Sequence, residues 1–167
     1  MPFESVFEEV SDTLIFDNLI SYVEDNMLGA LVEKFPTESL PDFAQRTLGR
    51  YFKLGSYPVF AVDPDRNGPQ QSADGSWVED AVRIQCFLAV SNADGPTATR
   101  LALKYATAFK AVLRKAERVQ AFTANFPVNS VFACTMEFSY EYGLIGKNAD
   151  GYEKPINFEI LLKFNER

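Results

Sequence analysis

Apolar positions recur at helical spacing over residues 12–34. Phe16, Leu19, Ile20, Val23, Met27, Ala30 and Leu31 fall within an arc of about 120° when each residue turns about 100°. Asp17, Glu24, Asp25 and Glu33 lie outside that arc, so the pattern predicts one amphipathic helix. Ser11, Asp12 or Thr13 can cap its start. It ends near Phe35-Pro36, because a residue before proline disfavours the α region. The spacing predicts a second short helix over 41–48, with Pro41 in its first turn. A third and stronger one runs from Thr97 to about Arg118. Its apolar arc starts at Leu101 and holds Tyr105, Ala108, Phe109, Val112, Ala116 and Val119.

Elsewhere the period is two, the mark of strands with one buried and one wet face. Val82, Ile84, Cys86, Leu88 and Val90 alternate with Arg83 and Gln85. Phe132, Cys134, Met136, Phe138, Tyr140 and Tyr142 alternate with Thr135, Glu137, Ser139 and Glu141. Ile156, Phe158, Ile160, Leu162 and Phe164 alternate with Asn157, Glu159 and Lys163. Tyr57–Val62 reads as a shorter strand that Pro58 confines to an edge or a start. Residues 63–77 read as a long polar loop, and 143–155 as a long hairpin loop. Ala-Asp-Gly recurs at 73–75, 93–95 and 149–151 as a turn signal in which Gly can take positive φ.

This order of elements predicts an α+β fold, a single mostly antiparallel or mixed sheet with helices packed on one face. No composition break marks a linker, so residues 1–167 are expected to form one domain with an acidic N-terminal helical region, 1–50. The chain's 167 residues, 47% hydrophobic and 14% aromatic, suffice for a core.

Histidine is absent, which excludes a Ser-His-Asp triad, a Cys-His dyad and a histidine zinc site. Cys86 and Cys134 form no CxxC, and their place on apolar strand faces predicts two buried, reduced thiols in an intracellular protein. No apolar stretch approaches the roughly 20 residues of a membrane span, and residues 1–5 lack the features of a secretory signal, so no membrane partner is expected.

The net charge of −7 hides a sharper division. Residues 1–42 hold ten acids and one base, a net −9, whereas the remainder holds 13 acids and 15 bases, a net +2. Six of those bases, Arg100, Lys104, Lys110, Arg114, Lys115 and Arg118, fall on the polar side of the third helix. Three readings stay open for them: an ordinary solvated helix face, a face for phosphates, or a face for an acidic partner. Glu24, Asp25 and Glu33 supply such a partner within the same chain. Opposite charge on separate faces suits a head-to-tail contact between copies, and such contacts make rings where they close.

Asp63-Pro64-Asp65-Arg66-Asn67-Gly68, followed by Asp74, fits the calcium-loop template D-x-D-x-N-G with an acid at the twelfth position. Three departures count against it: Asp74 is shorter than the usual Glu, Gln70 stands where an apolar anchor belongs, and a strand precedes the loop. A solvated turn explains the same string and is the favoured reading. Glu137, Glu141 and Glu159 are the acids available for hydrolysis, but strand alternation places acids on a wet face in any case. No P-loop or GxSxG is present, and no cofactor is expected. Trp77, where the polar loop meets a strand, is a candidate interface anchor, though a single Trp beside a core is more often simply packed.

The run Val82-Arg-Ile-Gln-Cys-Phe-Leu-Ala-Val90, then Asn92-Ala-Asp-Gly95, then the helix to Arg118 and the closing strand pair 131–142 and 156–164 together resemble the tail terminator (tail-completion) proteins of long-tailed bacteriophages. The resemblance lies in topology and pattern and spans most of the chain from residue 12. It implies a non-enzymatic virion protein, made in the host cytoplasm, that forms a hexameric ring. The ring caps the tail tube and docks the neck, so tail-tube and neck proteins are the implied partners, and DNA passes through without specific binding. The same pattern fits a head-completion or neck connector protein. A small binding module using a calcium-type loop at 63–74 is the alternative from another class.

Overall fold

The computed structural model describes residues 12–50, 53, 55–71, 78–126, 133–148 and 151–165. Two long helices form where the apolar period is 3.6. Helix α1 spans Asp12–Lys34 and α2 spans Gly95–Arg118. Helix α1 buries Ile15, Phe16, Leu19, Val23, Met27 and Leu31, a single stripe. Helix α2 starts at an Asp94 cap whose carboxylate accepts from the Thr97 N–H at 3.0 Å, with Pro96 in the first turn. The Thr97 hydroxyl, then the Thr97 amide, hold the Asp94 carboxyl below its usual pKa. Val119, expected in the apolar arc, is exposed because the helix has ended and it serves as the C-cap.

The strands are β1 (Gln45–Leu48), β2 (Val59–Gln71), β3 (Val78–Asn92), β4 (Ala133–Tyr142), β5 (Gly146–Asn148) and β6 (Gly151–Asn165). They form one six-stranded sheet in the order β1-β2-β3-β6-β4, with β5 also on β6. Among the described strands, only β1 and β2 run parallel. The α+β expectation holds.

The register explains the core. Tyr140, Phe158 and Cys86 share one row across β4, β6 and β3, and Phe138, Ile160 and Ile84 share the next. Residues on this face join the buried stripes of α1 and α2 in one apolar cluster. Phe109 of α2 meets Phe158 edge-on at 4.8 Å between ring centres and lies 5.5 Å from Phe60. The opposite face carries Arg83, Gln85, Glu137, Glu159 and Lys163, with ion pairs Arg83–Glu159 at 3.2 Å and Lys163–Glu137 at 3.7 Å.

Three expectations are corrected. Residues 45–48 are strand and not helix. Asp42 is held by its own contacts to the Phe43 N–H and to Arg46, 2.7 Å each, and the segment then pairs with β2 from Gln45↔Val59 to Leu48↔Val62. The polar stretch 63–71 is not a loop but the continuation of β2, paired to β3 from Asp63↔Gln85 to Gln71↔Val78. A register shift between Pro64 and Asn67 absorbs the irregular sequence. The loop 143–155 contains β5 and the start of β6, paired as Lys147↔Tyr152 and Asn148↔Gly151. Of the Ala-Asp-Gly turns, 149–151 has its glycine at φ +140°, where an added Cβ would lie 2.5 Å from the Asn92 carbonyl oxygen. Gly95 has no positive φ and opens α2 instead.

Candidate functional site

Helix α2 lies over β3 and β6 and packs beside α1. Its outer side therefore divides its bases between two neighbourhoods. On the α1 side, Lys104 pairs with Glu38 and lies 6.0 Å from the Phe35 ring centre. Asp25 and Glu33 line one groove with Lys115, a cavity of about 200 Å³. Glu33 also borders a second of about 350 Å³ with Lys34, Arg114, Lys115 and Arg118. The acids and bases expected on separate faces are thus partly neighbours within one chain. Glu24 is exposed on α1 and Arg100 is exposed near the start of α2. Trp77 and Asp74 lie outside the described residues.

On the other side, α2 looks onto β4. Lys110 donates to the Tyr140 hydroxyl at 3.0 Å and sits 4.8 Å above the same ring. Arg114 lies 5.9 Å above Phe138. These are cation–π arrangements on half-exposed rings, which position the charges without neutralising them. Among the described residues, Lys110, Arg114, Lys115 and Arg118 enter no ion pair. The alternation of aromatics in 132–142 was visible in the sequence, but nothing there shows that their rings lie under α2's bases.

Strand β4 is one of the sheet's two outer strands, β1 being the other among the described strands. Its first half is capped from α2. The Gln120 side chain accepts from the Cys134 N–H at 2.7 Å and donates to the Cys134 carbonyl at 3.0 Å, copying the contacts of a neighbouring strand. Glu117 accepts from the Met136 N–H at 2.6 Å. Gly143 instead sends its N–H inward to the Pro155 carbonyl at 2.9 Å. Inward and outward residues alternate along an antiparallel ladder. Phe138, Tyr140 and Tyr142 therefore direct their N–H and C=O groups outward, and no described residue meets them. Apolar surface continues past this edge to Leu144, 93% exposed, and Ile145, 42% exposed.

The remaining candidates are placed as follows. Asp63, Asp65 and Asn67 lie along β2, with the register shift between Pro64 and Asn67 falling among them. That extended course departs from the tight turn the calcium template needs. Asp65 accepts from Gln85 at 3.0 Å. Glu137 and Glu159 are each ion-paired to a base, and Glu141 lies opposite Asn157 at one end of a shallow cavity of about 320 Å³. Among the described residues, no group of three or more Cys, Asp or Glu is placed to hold a metal ion. Both cysteines are free and buried. Burial pushes the Cys86 thiol far up, and burial, helped by Glu117, pushes Cys134 up to about 12. No described helix is long and apolar enough to cross a membrane.

Comparison with known proteins finds no matching family profile and no matching curated sequence. Among solved structures, the chain is similar to one from the virion of a native gene transfer agent (GTA) particle. The TM-score is 0.40 at 9% identity, covering 85% of this chain and 96% of that one. A second solved chain matches with a TM-score of 0.38 at 11% identity, covering 88% of this chain and 96% of the other.

Proposed function

We propose that the chain is a non-enzymatic structural subunit of a phage-type virion, built as one domain. In this reading it is a tail terminator that closes into a homo-hexameric ring, caps the tail tube and docks the neck. The subunit contact joins α2's outer bases on one copy to the acidic N-terminal region of the next. One observation carries the reading: Lys110 and Arg114 are held on aromatic rings beside an open strand edge, without a carboxylate partner among the described residues. Acidic surface left facing the channel would let DNA slide without being gripped.

Native mass spectrometry of the purified chain, alone and with tail-tube protein, tests this. The wild type should give a closed oligomer. Lys110→Glu with Arg114→Glu should weaken association by on the order of tenfold or more, because like charges then face each other. An unchanged oligomer would remove the basic helix from the interface, and monomers under every condition would remove the ring.

A further inference from the structure

We propose that the open half of β4 receives the acidic N-terminal segment of a second copy, residues 1–11, as an added strand. This rests on the homo-oligomer reading and deepens it by naming the segment that makes the contact.

The edge itself sets the requirements. Phe138, Tyr140 and Tyr142 offer outward N–H and C=O groups, the template for strand addition. Their side chains, with Leu144 and Ile145, offer apolar surface, and Tyr140 and Tyr142 are 39% and 38% exposed. Lys110 and Arg114 overhang that surface with their charges unpaired among the described residues. The fitting occupant is therefore an extended segment that mixes apolar residues with acids and has no base.

A second β4 fails this requirement. Pairing two such edges would bring Lys110 and Arg114 of both copies together, and like charges across a ladder destabilise it. The segment Met1-Pro-Phe-Glu-Ser-Val-Phe-Glu-Glu-Val-Ser11 meets it, with three acids, no base, and Phe3, Val6, Phe7 and Val10. Laid along the edge, Glu4, Val6, Glu8 and Val10 share one side. With Val6 opposite Tyr140, the valine covers that ring, and Glu4 and Glu8 fall opposite its two same-side neighbours Phe138 and Tyr142, within reach of the overhanging Arg114 and Lys110. Length is sufficient: Phe138–Tyr142 covers about 17 Å, whereas eleven extended residues reach about 36 Å.

The geometry favours a neighbour's segment over the chain's own. Asn18 ties the first turns of α1 to the Phe122 and Ala124 carbonyls, near the Cys134 end of the edge. There Gln120 and Glu117 already occupy the outward groups. A segment of the same chain would have to cross these caps before reaching Phe138.

Cysteine pairing in full-length chains tests the inference. Ser5→Cys on one chain and Ser139→Cys on another, mixed under mild oxidation, should give a disulfide-linked pair of chains, since Cys86 and Cys134 are buried. No link in the mixture overturns the proposal, as does a doubly substituted chain that links only within itself. A second arm reads assembly by light scattering. Val6→Pro, which removes a strand donor, and the triple change Glu4→Lys, Glu8→Lys, Glu9→Lys should each shift the oligomer towards monomer. If both variants keep the oligomer while Lys110→Glu with Arg114→Glu dissolves it, the strand addition fails and the basic-helix interface stands. A wild type that is monomeric under every condition overturns both.

Discussion

Asn18 shows how much one polar side chain can fix. It lies on the buried side of α1 and donates to the Phe122 carbonyl at 3.1 Å and the Ala124 carbonyl at 2.8 Å. These carbonyls belong to the turn that follows α2, so one amide clamps the start of α1 to the end of α2. Asn18→Ala leaves both without that donor and should cost about 1–3 kcal/mol in urea unfolding. Asn18→Asp, which cannot donate in its ionised form, should cost at least as much. A loss within error would mean water replaces the amide. This residue was not legible in the sequence. A lone Asn between apolar positions reads as a break in the stripe, because its partners lie more than a hundred positions away.

At the scale of elements, period and length decided what could be read. Helices α1 and α2 and strands β3, β4 and β6 announce themselves because their alternation runs over many residues. Strand β1 does not: four residues after Pro41 carry no period, and only pairing with β2 makes them strand. Strand β2 carries Pro64, Gly68 and Pro69, all strand-breaking by propensity, and the long partner β3 overrides them. The candidate site was half legible. The bases and the aromatic strand were both visible, but their juxtaposition and the edge position of β4 are set by β6, which inserts between β3 and β4. The caps on β4 lead to a prediction at this scale. Replacing Gln120 and Glu117 with Ala would extend the open edge to Cys134 and Met136. Non-specific aggregation at raised concentration should increase, measured by static light scattering. Unaltered scattering would show that the caps do not guard the edge.

For the whole molecule, charge placement matters more than net charge. The sequence suggests clean segregation, and folding modifies it. Lys104 finds Glu38, and Lys115 shares a groove with Asp25 and Glu33, so part of the contrast is consumed within one chain. Lys110, Arg114, Lys115 and Arg118 enter no ion pair among the described residues, and residues 1–11 add three acids and no base to the sequence. A contact between these groups should be sensitive to salt. Raising ionic strength from 0.1 to 1 M shortens the screening length from about 10 Å to about 3 Å. The oligomer measured by analytical ultracentrifugation should shift towards monomer over that range. An oligomer indifferent to salt would be held by the apolar surface of Tyr142, Leu144 and Ile145 instead.

The insertion of β6 also sets the timing of folding. Its contacts with β3, such as the side-chain ion pair of Arg83 with Glu159, join residues 76 positions apart. Helix α2 and strand β4 lie between them in the chain, so both are synthesised before the sheet can close. The entropy of bringing distant segments together must be met before those contacts give any return. A nascent chain that has not yet reached Gly151 holds β3 and β4 with no strand between them. Closing the sheet is therefore a late, non-local event, and the apolar faces of α1 and α2 must wait for it beside an unfinished core.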